Sequence, residues 1–168
     1  SAAHAVEVYN HGCAIGADRP DGFHTLDLLL SEGCRLDLCA TDDAHFTEPD
    51  HFGGWVHVRA EENDPDALLA ALRAGAYYSS QGPQIHDMVV EEDRVVLHTS
   101  PVVSGVLMGR GSAATAVHGH SMTRLSIPRA RIAASPWLRA AVIDSAGRRA
   151  WTNPVWLDQD DTTSSRYD

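Results

Sequence analysis

The spacing of apolar residues changes character once along the chain, at Ile85, and that change limits what the chain can fold into. Beyond it, helical spacing nearly disappears. Ile85–Glu91, Arg94–Thr99, Ser104–Gly109, Thr123–Ile127, Leu138–Asp144 and Trp151–Trp156 read as short strands separated by Gly, Pro and Ser turns. Asp144-Ser145-Ala146-Gly147 is a hairpin-type connector. Short strands at this spacing predict a small all-β sandwich over residues 88–158, with the domain boundary near Met88. His118-Gly119-His120 reads as a flexible loop and not a metal-binding pair, and Trp151 and Trp156 read as core. The polar stretch 159–168 is expected to be disordered.

Before Ile85, strand and helix spacing alternate. His4–Asn10 interleaves apolar and polar residues as a strand does. Ala14–Gly22, rich in Gly, Pro and Asp, reads as a loop. Leu26, Leu29 and Leu30 share a helical face that Gly33 terminates, and Arg35–Cys39 reads as a second strand. Trp55–Ala60 reads as a third. A helix over Asp66–Ala74 is introduced by Asn63-Asp64-Pro65 and stopped at Gly75, ahead of a short strand at Tyr77–Gln81. Strand, helix and strand in succession imply parallel pairing through a helical crossover, which assigns residues 1–87 to the α/β class.

In parallel α/β architectures the reactive groups sit where strands end. The second strand leads into Ala40-Thr41-Asp42-Asp43-Ala44-His45-Phe46. If strand geometry persists, Asp43 and His45 point to the same side, and a carboxylate with an imidazole suits Zn, Mn or Fe. The competing reading is a polar turn in which Asp42 or Asp43 bonds the backbone. The first strand exits at Asn10-His11-Gly12, which makes Asn10 and His11 substrate-proximal on the same rim. No catalytic acid, base or nucleophile is assigned.

A formal net charge of −10 argues against binding duplex nucleic acid or an anionic membrane. All 13 basic residues are Arg, which excludes Lys Schiff-base and P-loop Lys chemistry. Cys13, Cys34 and Cys39 form neither a zinc knot nor a disulfide framework, so free thiols in a reducing compartment are expected. With no apolar run of membrane-spanning length and no basic-then-apolar opening, the expected localisation is cytoplasmic.

Taken together, "VEVYNHGC", "HTLDLLLSEGCRLDLCATDDAHF", "GGWVHVRAE", "ALLAALRAGAYYSSQGPQIHD" and "GRRAWTNPVWL" resemble the C-terminal half of a PHP-domain (polymerase and histidinol phosphatase) metal-dependent phosphoesterase, in particular bacterial members with a small β domain after the barrel. The resemblance implies a partial (β/α) barrel over residues 1–87, a β-sandwich behind it, and divalent metals at the barrel's C-terminal rim. It implies hydrolysis of a phosphate ester by metal-activated water, on a phosphorylated small molecule or nucleotide. Asp43 and His45 match the family's last Asp-x-His metal motif. The family's earlier His-x-His and acidic motifs have no counterpart in these 168 residues, so the resemblance implies a fragment with an incompletely coordinated metal, inactive alone. A half barrel would also leave Val6–Asn10 as an open edge, through which a second copy or a complementing chain would pair. The alternative is a non-catalytic binding or docking module.

Overall fold

The structure is a computed structural model that describes residues 3–157. The stretch 159–168, expected to be disordered, lies outside the described residues. The chain divides into two compact units, one running to Gly82 and the other starting at Pro83.

The first unit contains β1 (Ala5–Asn10), α1 (His11–Ala17), α2 (Phe23–Ser31), β2 (Asp37–Thr41), β3 (Trp55–Val58), α3 (Pro65–Arg73) and β4 (Tyr77–Ser80). β1 and β2 pair in parallel from Ala5↔Asp37 to Asn10↔Thr41. The crossover between them contains α2, whose Leu26 and Leu30 are fully buried, as are Val8 of β1 and Leu38 of β2. Gly33, at φ 85°, takes the left-handed turn that ends the helical stretch. Asp64 caps α3 by accepting from the N–H of Asp66 at 3.0 Å and of Ala67 at 3.2 Å, with Pro65 in the first turn.

The barrel expectation fails at the next pair. β3 and β4 flank α3 in the same strand–helix–strand order, yet they pair antiparallel, from Val58↔Tyr77 to Trp55↔Ser80. Arg59 N–H continues that ladder to the Ala76 carbonyl at 2.9 Å. A barrel needs a crossover that returns the chain to the start of the previous strand. Here α3 only turns the chain around, so Tyr77 meets the residue it is nearest in sequence. The partial (β/α) barrel is therefore corrected to one parallel pair and one antiparallel pair. They are linked by Ser79, whose fully buried hydroxyl accepts from Ala40 N–H at 3.0 Å and donates to the Leu38 carbonyl at 3.3 Å.

Two further expectations in this unit are revised. His11–Ala17 is helical where a strand exit and loop were read, because Asn10 caps it: its Oδ1 accepts from Cys13 N–H at 2.8 Å. The edge of β1 expected to be open is covered by the chain itself. Gly22 N–H donates to the Val8 carbonyl at 3.2 Å, Asn10 N–H donates to the Pro20 carbonyl at 3.1 Å, and Tyr9 bridges to Asp21. Only glycine fits at position 22, since a Cβ there would lie 2.2 Å from the Glu7 carbonyl oxygen.

The second unit contains β5 (Ile85–Val90), β6 (Arg94–Met108), β7 (Ala114–Pro128), a 3-10 turn (Ala130–Ile132), β8 (Trp137–Ile143), β9 (Arg149–Thr152) and β10 (Val155–Trp156). The two strands expected at Arg94–Thr99 and Ser104–Gly109 are one 15-residue strand, β6. β7 runs antiparallel to it from Arg94↔Pro128 to Met108↔Ala114. On its other edge β6 takes β5 along its first half and β8 along its second. β9 and β10 both pair with β8. The expected sandwich is thus corrected to a single hydrogen-bonded sheet built on β6.

That sheet is sharply bent. Leu125 pairs with Leu97, about 26 Å along a straight strand from Gly105, yet a Cβ on Gly105 would lie 2.4 Å from Leu125 Cδ2. The long hairpin therefore folds back on itself. The β6–β7 pairing is irregular between His98 and Ser104, where Pro101 removes a donor, and Ser121 opposite takes φ 46°. The two halves enclose a core of Leu97, Leu107, Leu125, Ile127, Ile132 and Trp137, all at most 1% exposed. One bent sheet thus does what two stacked sheets were expected to do. His118-Gly119-His120 belongs to β7, not to a loop. Among the described residues no helix is long and apolar enough to cross a membrane.

Candidate functional site

β2 ends at Thr41, so strand geometry does not reach the Asp-x-His pair. Asp43 has φ 52°, a left-handed conformation that aspartate tolerates. Despite this turn, Asp43 and His45 line one cleft of about 290 Å³ with Gly12, Cys13, Thr47, Glu48 and Asp50 among its other walls. The cleft lies beside α1, at the C-terminal end of the β1–β2 pair. His45 is mostly exposed, with its Nδ1 at 3.9 Å from Asp50 Oδ2. One Asp43 oxygen is held at 3.2 Å by Asn10 Nδ2, which also donates to Glu7 Oε2 at 3.2 Å.

Two acids fix this loop in different ways, and a third is left to the cleft. Asp42 closes its base. Its carboxylate accepts from Phe52 N–H at 2.6 Å and from the N–H groups of Gly53 and Gly54 at 2.8 Å each. Burial pushes the Asp42 carboxyl up, but those backbone donors and the nearby His11 outweigh it and hold the group below its ordinary value. Asp50 fixes the middle. It is 5% exposed and accepts from His45 N–H at 2.7 Å and Phe46 N–H at 3.2 Å. The His45 N–H leads the causes that lower its pKa. Asp43 is left with the Asn10 amide and the cleft.

The turn reading of this stretch thus describes Asp42 correctly in kind, though its partners lie ten to twelve residues on. Asn10 and His11 stand behind the site and are not among the residues lining the cleft. Asn10 caps α1 and bridges Glu7 to Asp43. His11 Nδ1 lies 3.1 Å from the Tyr9 hydroxyl. Its ring occupies the space a side chain at Gly53 would need, at 2.1 Å from a Cβ there. Sequence reasoning passed over Cys13, Glu48 and Asp50 as cleft residues. Glu48 and Asp50 carried a signal, as acids within five residues of His45; Cys13 carried none.

A catalytic metal takes about three protein ligands plus water. Among the described residues no group of three or more His, Cys, Asp and Glu side chains is gathered closely enough to hold a metal ion. The cleft presents an imidazole and carboxylate oxygens to solvent.

The chain matches no protein-family model, no curated protein and no solved structure.

Proposed function

We propose that this cleft binds a phosphate ester together with a divalent cation, as part of a metal-dependent phosphoesterase. The observation that supports this most is that Asp43 and His45 open onto one cleft, with Asp50 and Glu48 beside them. An acidic cleft repels a bare phosphate. A cation already carried by phosphate oxygens needs fewer protein ligands, as Mg²⁺ does on phosphorylated substrates. Asp43 supplies the carboxylate, His45 the imidazole, and Asn10 orients Asp43 through its amide. The cation, Zn, Mn or Fe in type, would supply charge neutralisation and a more acidic bound water. The substrate class is a phosphorylated small molecule or nucleotide, and the setting is cytoplasmic, consistent with three free thiols.

The experiment is titration calorimetry with Mn²⁺ and Zn²⁺, with and without inorganic phosphate or a simple aryl phosphate, together with release of the aryl alcohol. Binding that requires cation and phosphate together, and is weakened at least tenfold in His45→Ala and Asp43→Asn, is the expected result. A second reading is a non-catalytic binding module, in which Asp43, His45, Glu48 and Asp50 are simply the polar walls of a solvated cleft. It predicts no cation-dependent phosphate binding and no hydrolysis.

A further inference from the structure

Most sheet edges in this chain are defended. Pro20–Gly22 covers β1 from Val8 to Asn10. β5 carries Asp87 and runs into Glu91, Glu92 and Asp93, which would repel a second copy of themselves. The second half of β7 carries Arg124 and ends at Pro128. Charge and proline are the ordinary devices that keep an edge from pairing. The first half of β7 has neither. Ala114, Thr115, Ala116, Val117 and His118 pair in unbroken register with Met108 to Ser104 of β6. Among the described residues β7 pairs with no strand but β6, so its outer edge presents unpaired backbone groups. None of the five is an Asp, Glu, Lys or Arg, on a chain whose formal charge is −10.

We propose that Ala114–His118 is a self-association edge, where a second copy of this chain adds its own β7 antiparallel across a two-fold axis. Centred on Ala116, the pairing is self-complementary. Ala116 faces its own symmetry mate, Thr115 faces the partner's Val117, and Ala114 faces the partner's His118. Thr opposite Val sets two strand-favouring β-branched side chains together, and the small side chain of Ala116 at the centre leaves the backbones free to approach. No like charges oppose one another. A foreign acidic or basic strand would find no charge here to pair with, which favours a copy of the same neutral segment. Five residues form an edge of about 17 Å. With a sheet about 10 Å thick, that buries a few hundred Å² in total, well below the roughly 1,000 Å² of a stable specific interface. The dimer is therefore weak and concentration-dependent.

Directly opposed residues of an antiparallel pair have Cα atoms about 4.5–5.5 Å apart, within disulfide range. The test is oxidative cross-linking of the full chain at about 0.5 mM, comparing Ala116→Cys with Thr123→Cys, an exposed position on the defended half of the same strand. Peptide mapping separates links between the introduced thiols from links through the native cysteines. Expected is a covalent dimer joined at position 116, at least tenfold more abundant than any joined at 123. Sedimentation of the unmodified chain should show a mass rising above 18.2 kDa with concentration, and Ala116→Lys, a change at an exposed site, should suppress the rise. Equal or absent linking at the two positions, or a mass that stays monomeric up to about 1 mM, overturns the proposal. Amide exchange on the unmodified chain is a check independent of any variant. Protection of Ala114–His118 that grows with concentration supports the edge; protection unaffected by concentration refutes it.

Discussion

Asp42 and Asp43 are neighbours with opposite duties. Asp42 spends its carboxylate on three backbone N–H groups that close the loop, so its charge is structural. Asp43 keeps an oxygen for the cleft. Replacing Asp42 with Asn retains an acceptor but loses the charge, and should cost about 1–2 kcal/mol of stability at neutral pH. The pH dependence follows from the folded-state pKa lying below the ordinary value of 3.8. The unfolded chain takes up the proton first as pH falls, so the stabilisation is complete above about 5 and lost as pH drops through the folded value. Urea midpoints measured between pH 7 and pH 3 should fall for the unmodified chain and fall less for Asp42→Asn. Equal slopes would show that the loop does not depend on this charge. The same substitution at Asp43 should leave stability nearly unchanged, because that carboxylate is exposed.

At the level of elements, the segment that covers β1 is the most sensitive to a single methyl group. Gly22→Ala sets a Cβ against the Glu7 carbonyl, a backbone atom that cannot move aside. It should break the Gly22–Val8 and Asn10–Pro20 bonds and cost about 2 kcal/mol or more. Gly16→Ala in α1 meets nothing within 4 Å and should be neutral or stabilising, by up to about 1 kcal/mol. Denaturant unfolding of the two variants checks the contrast in sign. Several elements were legible from sequence because their signals are local. Asp64 and Pro65 mark the start of α3, Gly33 and Gly75 mark stops, and the leucines of α2 mark a buried face. α1 was not legible, since HGCAIGA has two glycines and no buried residue; what starts it is the Asn10 cap. Nor was strand direction. The same strand–helix–strand pattern pairs parallel around α2 and antiparallel around α3, and nothing local separates them. His118-Gly119-His120 of β7 read as a loop because glycine and histidine are strand-forming only when a partner such as β6 is alongside. In the cleft, Asp43 and His45 were legible by residue type. The backbone donors that Asp42 and Asp50 hold were not legible, because they lie four to twelve residues away from those carboxylates.

Across the whole molecule, a formal charge of −10 sets how copies meet. Two such bodies repel at distances set by the Debye length, about 30 Å at 0.01 M salt and 8 Å at 0.15 M. Pairing through a neutral edge should therefore strengthen with salt, the reverse of a charge-driven interface. The apparent dissociation constant from sedimentation should fall severalfold between 10 mM and 150 mM NaCl. Weakening with added salt would point to an ionic interface elsewhere. The bent strand β6 carries a different consequence, one of timing. Its partner β7 follows directly in sequence, but β8 pairs with Ser104–Met108 through residues 139–143. As the chain emerges from the ribosome, the β6–β7 hairpin is complete while the other edge of Ser104–Met108 still waits for residues not yet made. For that interval the nascent protein holds bare the backbone on which the second unit is later completed.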